Sequence, residues 1–394
     1  MKTLVLGLFL PHSAMAIGQG TTAPIIALLA LEMGASVPGA GLIIAMFGLG
    51  AFLADVPGGV LGSRIGNRRA MMLATGVMAL SALGVASRPP LIVFAALVAT
   101  MGASTAVFGI GRLAFATEIS PIDRRGRVMS SIGGTQRIGL FIGPILGGLT
   151  IPALGLTGPY LMHAVMAFIA FVTVIAFKDV DHVALAPNTP VLEGAGARPR
   201  LLDVVRDHRQ TFITAGAASV TIQIVRSARL ALIPLWGDRI GLAPGQIAIL
   251  FSLSAGMEVL MFYPIGRLMD RRGRKWVAIP SLTLMSLGLA AIPLTSDVLS
   301  LSAVAAFLGF ANGMSSGINM TLSSDFSPKS GRSMFLGVWR MIADAGTASG
   351  PTIVAIISAF GGLALASVTV ATAGLGGVIL LWRAVPETLK RNKP

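Results

Sequence analysis

Cysteine is absent from all 394 residues, which excludes disulfides, thiolate metal sites and a cysteine nucleophile. Histidine is almost as scarce: His12, His163, His182 and His208 lie far apart and make no ligand spacing. Charged residues reach only 12%, against about a quarter in soluble domains. Acids are the rarer sign, with 16 Asp+Glu against 30 Lys+Arg. A soluble enzyme is excluded by that poverty of charge. The chain is instead 54% apolar with a mean hydropathy of +0.82. Its 48 Gly and 22 Pro would break soluble helices, but transmembrane helices tolerate both.

A helix needs roughly 20 apolar residues to cross the hydrocarbon layer. Apolar runs fall at about 4–31, 36–62, 70–87, 90–117, 128–153, 158–177, 210–236, 243–268, 275–295, 298–323, 333–357 and 361–383, which predicts twelve spans. Met1-Lys2 and Ala14-Met15-Ala16 imitate a cleavable signal peptide, but the apolar run continues to Leu31 and is read as the first span. The loops on one face carry 22 Lys and Arg, and those on the other carry two, Arg88 and Arg239. The positive-inside rule therefore puts the basic loops and both termini in the cytoplasm. The net charge of +14 reports topology and not a nucleic-acid partner.

Structure-determining residues recur 207 positions apart: Pro57 and Pro264, Gly59 and Gly266, Gly66 and Gly273, Gly102 and Gly309, Pro121 and Pro328, Gly143-Pro144 and Gly350-Pro351. An internal repeat follows. The expected fold is an all-α membrane protein with twelve transmembrane helices as two pseudo-symmetric six-helix bundles, residues 1–177 and 210–394, the second with a short tail. Residues 178–209 form a basic, Pro/Gly-containing cytoplasmic linker. Parallel repeats of this kind hold their substrate between the halves near the bilayer midplane.

After the eighth span the chain reads Gly266-Arg267-Leu268-Met269-Asp270-Arg271-Arg272-Gly273-Arg274-Lys275, which closely resembles the G-x-L-x-D-R-x-G-R-K signature of the major facilitator superfamily. Its counterpart after the second span runs from Gly59 to Arg69. The resemblance implies a secondary transporter working by alternating access, with gating loops at Gly59, Ser63, Arg64, Gly66 and at Gly266, Asp270, Arg271, Gly273. Ser63 stands where the family usually has Asp, so that latch is expected to be the weaker one. Arg68, Arg69, Arg274 and Lys275 are read as topology signals. The fifth span carries Gly139, Gly143, Pro144, Gly147 and Gly148 in an arrangement similar to the G-x-x-x-G-P-x-x-G-G motif of the exporter and antiporter branches. Glycines 139, 143 and 147 share one face and admit a close partner helix. Ala23-Pro24-Ile25 adds a looser likeness to the twelve-helix drug–proton antiporters.

Charges within spans are costly and mark function by default. By resemblance, spans 2 and 11 face each other across the halves, as do 5 and 8, which sets Asp55 level with Arg340 and Arg137 level with Glu258. A carboxylate alternately paired with arginine and left alone changes its proton affinity, so Asp55, Glu258 and Asp344 are proton-coupling candidates. Asp344, four residues after Arg340, also suits neutralising it. Substrate-cavity candidates are Arg112, Arg137, Gln223, Arg226, Asn312, Asn319 and Arg340. Arg229 is expected to snorkel to the interface, His12 and His163 to bridge helices, and Trp236 and Trp382 to anchor span ends.

The expected function is proton-coupled export of a small organic molecule across the cytoplasmic membrane. Its partners would be that substrate, protons and the lipid bilayer, with no nucleic acid. No cofactor or metal and a monomeric, non-enzymatic protein are expected. The alternatives are an exchanger or importer of an organic anion and, from another class, a receptor or membrane-embedded enzyme.

Overall fold

The computed structural model describes residues 5–119, 125–176, 201–315, 317–328 and 332–388. Among these, nine unbroken helical runs and one bent pair are long and apolar enough to cross a membrane. Two of the runs hold 49 and 51 residues. At 1.5 Å per residue each is about 75 Å long, more than twice the roughly 30 Å hydrocarbon core, so each contains two crossings. The first breaks at the turn Gly155–Thr157, the second at Gly362, whose φ of 76° only glycine adopts readily. That gives twelve crossings.

In order they are α1 (Gly7–Thr22, then Ile25–Glu32 after a 42° bend), α2 (Val37–Ile65), α3 (Asn67–Ala86), α4 (Leu91–Ile119), α5 (Arg125–Leu154) and α6 (Gly158–Ala176). The second half has α7 (Ala217–Arg239, entered through 209–216), α8 (Pro244–Arg272), α9 (Lys275–Ala291), α10 (Val298–Phe326), α11 (332–361) and α12 (363–384). The ends repeat as the sequence does: α8 begins and ends 207 residues after α2, and α10 does so after α4. Of the expected linker 178–209, residues 178–200 lie outside the described residues; a helix at Leu201–Asp207 closes it.

Local chemistry sets the ends. Ser36 accepts the Gly39 N–H at the start of α2, and Asp297 accepts those of Leu299 and Ser300 at the start of α10. Gly66 and Gly273 end α2 and α8 at φ of 90° and 112°. At the same basic face Arg68 donates to the Val174 and Ile175 carbonyls ending α6, and Lys275, 207 residues on, donates to the Trp382 carbonyl ending α12. Both cations thereby meet a helix C-terminus. Glu387 accepts the N–H groups of Arg274 and Lys275 where α9 begins.

Glycine contacts hold each half together. A Cβ on Gly143 of α5 would stand 2.5 Å from the Ile17 carbonyl oxygen and 2.6 Å from the Gly20 Cα of α1. Gly346 and Gly350 of α11, the repeats of Gly139 and Gly143, press in the same way on α7. The halves meet along α2 with α11 and along α5 with α8. Cβ positions built on Gly41 and Gly48 fall 2.9 Å from Ala355 and Ala348, and those on Gly148 and Gly256 fall 3.4 and 3.1 Å from Ala248 and Phe141. Further along the same helix faces the contact ends: Gly62 meets only Asn67 of its own half, and Gly134 meets nothing within 4 Å. Among the described residues the two halves are thus joined toward the face opposite the basic loops and parted toward the basic face.

Candidate functional site

Among the cavities between the halves, two gather several ionisable side chains. The central one, about 260 Å³, has an apolar wall from the first half, including Ala23, Leu140 and Pro144, and a polar wall from the second: Gln223, Arg226, Arg229, Glu258, Asn312 and Thr347. In the polar wall Glu258 Oε1 accepts from Arg229 Nη2 at 2.7 Å, and Arg229 Nη1 donates to Ser254 Oγ at 2.8 Å. Asn312 lines the same wall beside Glu258. Gln223 Nε2 donates to Thr347 Oγ1 at 3.0 Å, which aims its Oε1 toward Arg226 Nη1, 3.5 Å away.

The second cavity, about 370 Å³, lies nearer the basic face and is lined by His12, Gln19, Asp55, Arg112, Arg340 and Asp344 among others. Here Arg340 Nη2 donates to Asp55 Oδ1 at 2.8 Å across the halves, and its Nε lies 3.4 Å from Asp344 Oδ2 on the same helix. Asp344 is close enough to Asp55 for their carboxyl groups to share a hydrogen bond. Asp55 Oδ2 is buried and has no other donor among the described residues. On the facing wall His12 Nε2 meets the Ile132 carbonyl at 3.0 Å, which leaves Nδ1 to accept from Arg112 Nη1. His12 thus ties α1 to α4 and α5, and His163 bridges to Thr22 in the same manner.

Several expectations change. Glu258 is not paired with Arg137 across the halves: Arg137 lies 4.2 Å above the Phe262 ring, donates to the Gly133 carbonyl, and lines neither cavity. Arg229 does not snorkel; Glu258 one helix away gives it a buried partner, so reaching for the interface gains nothing. Asn319 lines neither cavity, because its Oδ1 already accepts from Ser219 and from the Trp339 indole, joining α7, α10 and α11. Trp236 is 6% exposed, its indole donating to the Thr295 carbonyl, whereas Trp382, the other expected anchor, sits at the surface. Asp270 has no ion-pair partner among the described residues, where the basic face is parted, and Ser63 donates to Val60 of its own helix.

Sequence reasoning missed the roles of Arg229 and Phe262, whereas His12 bridges helices as expected. A signal for Phe262 lay in the repeat: it is Asp55 plus 207, and Asp344 is Arg137 plus 207. One pseudo-symmetric contact is therefore built from two acids and Arg340, the other from Arg137 on Phe262. No group of three His, Asp or Glu suited to a metal occurs among the described residues.

A family model described as the Major Facilitator Superfamily matches residues 8–227 and 215–394. The multidrug resistance protein MdtH of Shigella flexneri is 24% identical over 317 residues, covering 77% of this chain and 72% of that one. An uncharacterized MFS-type transporter of Methanocaldococcus jannaschii is 20% identical over 307 residues, 78% of each chain. Two solved structures share the fold: a POT family transporter in complex with a thioalcohol-conjugated peptide (TM-score 0.80, 13% identity, 97% of this chain and 95% of that one) and the E. coli xylose transporter XylE in a partially occluded inward open conformation (TM-score 0.76, 12% identity, all of both chains).

Proposed function

The chain belongs to the major facilitator superfamily of transporters, and from that premise we propose that it exports a small organic molecule across the cytoplasmic membrane in exchange for protons, with its basic loops in the cytoplasm. The observation that carries this reading is the cluster of Asp55, Arg340 and Asp344. Two carboxyl groups within hydrogen-bonding reach need a proton between them, and Asp55 Oδ2 is a buried acceptor waiting for such a donor. A proton on Asp344 supplies it. Because Asp55 and Arg340 belong to opposite halves, any movement that exchanges access must remake this contact, and so changes the affinity for that proton. Glu258 is a weaker coupling candidate, since Arg229, Ser254 and Asn312 all belong to its own half and travel with it. Export is supported by the glycine motif of α5 and by the similarity to proteins named for multidrug resistance.

The test is flux of a labelled panel of anionic, cationic and neutral organic compounds from proteoliposomes with and without an imposed pH gradient. The gradient should accelerate wild-type flux. Asp55→Asn should lose that acceleration while retaining gradient-free exchange, and Asp344→Asn should behave alike. Unaltered gradient dependence in both variants contradicts the reading.

A further inference from the structure

We propose that the central cavity takes a small organic anion, its charged group held by Arg226 and its apolar body resting on the first half. The inference builds on the transporter reading and adds to it the charge of the substrate.

Three arginines and one acid share the electrostatic field at the centre of the molecule: Arg137, Arg226, Arg229 and Glu258. Glu258 is committed to Arg229, from which it takes a 2.7 Å bond. Arg137 rests on the Phe262 ring and the Gly133 carbonyl, outside the cavity. Arg226 faces the cavity with no carboxylate within 4 Å among the described residues; its nearest acceptor is the neutral Gln223 oxygen, at 3.5 Å. An unpaired guanidinium at membrane depth is expensive, and a bound anion removes most of that expense. The repeat offers it nothing from the other half, because the residue 207 positions earlier is Gln19, which is bonded to the equally neutral Gln136. Arginine's planar fork suits a carboxylate or a similar oxyanion. Opposite Arg226 the wall is Ala23, Leu140 and Pro144, whose side chains offer no hydrogen bonds to a second polar end. The cavity's size, about 260 Å³, admits one small molecule. Its polar and apolar walls therefore define an amphipathic anion with one charged end.

The test uses the full chain in detergent and three probes of one shape, benzoate, benzyl alcohol and benzylamine, with affinities measured by calorimetry and by thermal shift. Benzoate should bind at least tenfold more tightly than either of the others. Arg226→Gln should weaken benzoate at least tenfold and leave the alcohol unchanged, and Arg226→Lys should restore part of the loss. Should the Gln variant fail to fold, the wild-type order of the three probes and the Lys variant decide. Equal binding of the three, a preference for benzylamine, no binding of benzoate, or wild-type affinity in Arg226→Gln overturns the proposal. Binding here needs no gradient, so its failure leaves proton coupling standing, and a failure of proton coupling leaves this result unaffected.

Discussion

Arg229 and Glu258 stand on neighbouring helices of one half, with side chains only 11% and 12% exposed and 2.7 Å between their charged atoms. Removing one partner of such a pair leaves an uncompensated buried charge, while replacing both with apolar residues is often neutral. Arg229→Leu should therefore cost about 3–5 kcal/mol of stability, and the double variant Arg229→Leu/Glu258→Leu should recover most of it, as read from thermal denaturation in detergent. Asp55 and Arg340 differ in kind, because the arginine side chain is 44% exposed in its cavity and its acid partner sits on the other half. Their bond is free to be broken by movement. At this scale the sequence was informative about which residues carry charge and uninformative about whom each one meets. Arg226 and Arg229 lie three residues apart on one helix, yet Arg229 is paired with a carboxylate and Arg226 only with the neutral Gln223. The difference comes from Ser254 and Glu258 on α8, whose rotation and crossing with α7 no local pattern records.

Helices were the most legible level. The apolar run at 36–62 became Val37–Ile65 and the run at 243–268 became Pro244–Arg272, because hydrocarbon thickness fixes their length and glycine fixes their ends. The glycine motif of α5 was legible for the same reason: only glycine lets two backbones meet. Its energetic content is specific. Gly143→Ala forces a methyl into the α1 backbone and should destabilise by about 1–3 kcal/mol. Gly134→Ala, on the same helix with open space before it, should be neutral or slightly stabilising. Denaturation midpoints of the two variants measure the contrast, and equal effects would mean that α1 and α5 do not approach as described. The pairing of Arg137 with Phe262 was less legible, since an aromatic ring gives no charge signal at the position where the other interface has an acid.

The two halves close on each other at one face and part at the other, through a seam of small residues and a single cross-half ion pair among the described residues. The 207-residue repeat foretold the pseudo-symmetry but not this asymmetry, which arises where the repeats differ: Asp55 against Phe262, Gln19 against Arg226, Ser63 against Asp270. A nearly balanced equilibrium responds to such differences, since about 1.4 kcal/mol changes a population ratio tenfold. In the parted arrangement the cluster of Asp55, Arg340 and Asp344 lacks one donor, so a proton bound there stabilises it. The chain has no cysteine, and thiols introduced by Val60→Cys and Met334→Cys, on the exposed surfaces of α2 and α11, can be spin-labelled without interference. The distance distribution between those labels should shift toward longer separations as pH falls in the otherwise wild-type protein, and should be independent of pH once Asp55→Asn and Asp344→Asn are added. A pH response that survives in that variant, or none in the wild type, would contradict proton coupling through this cluster.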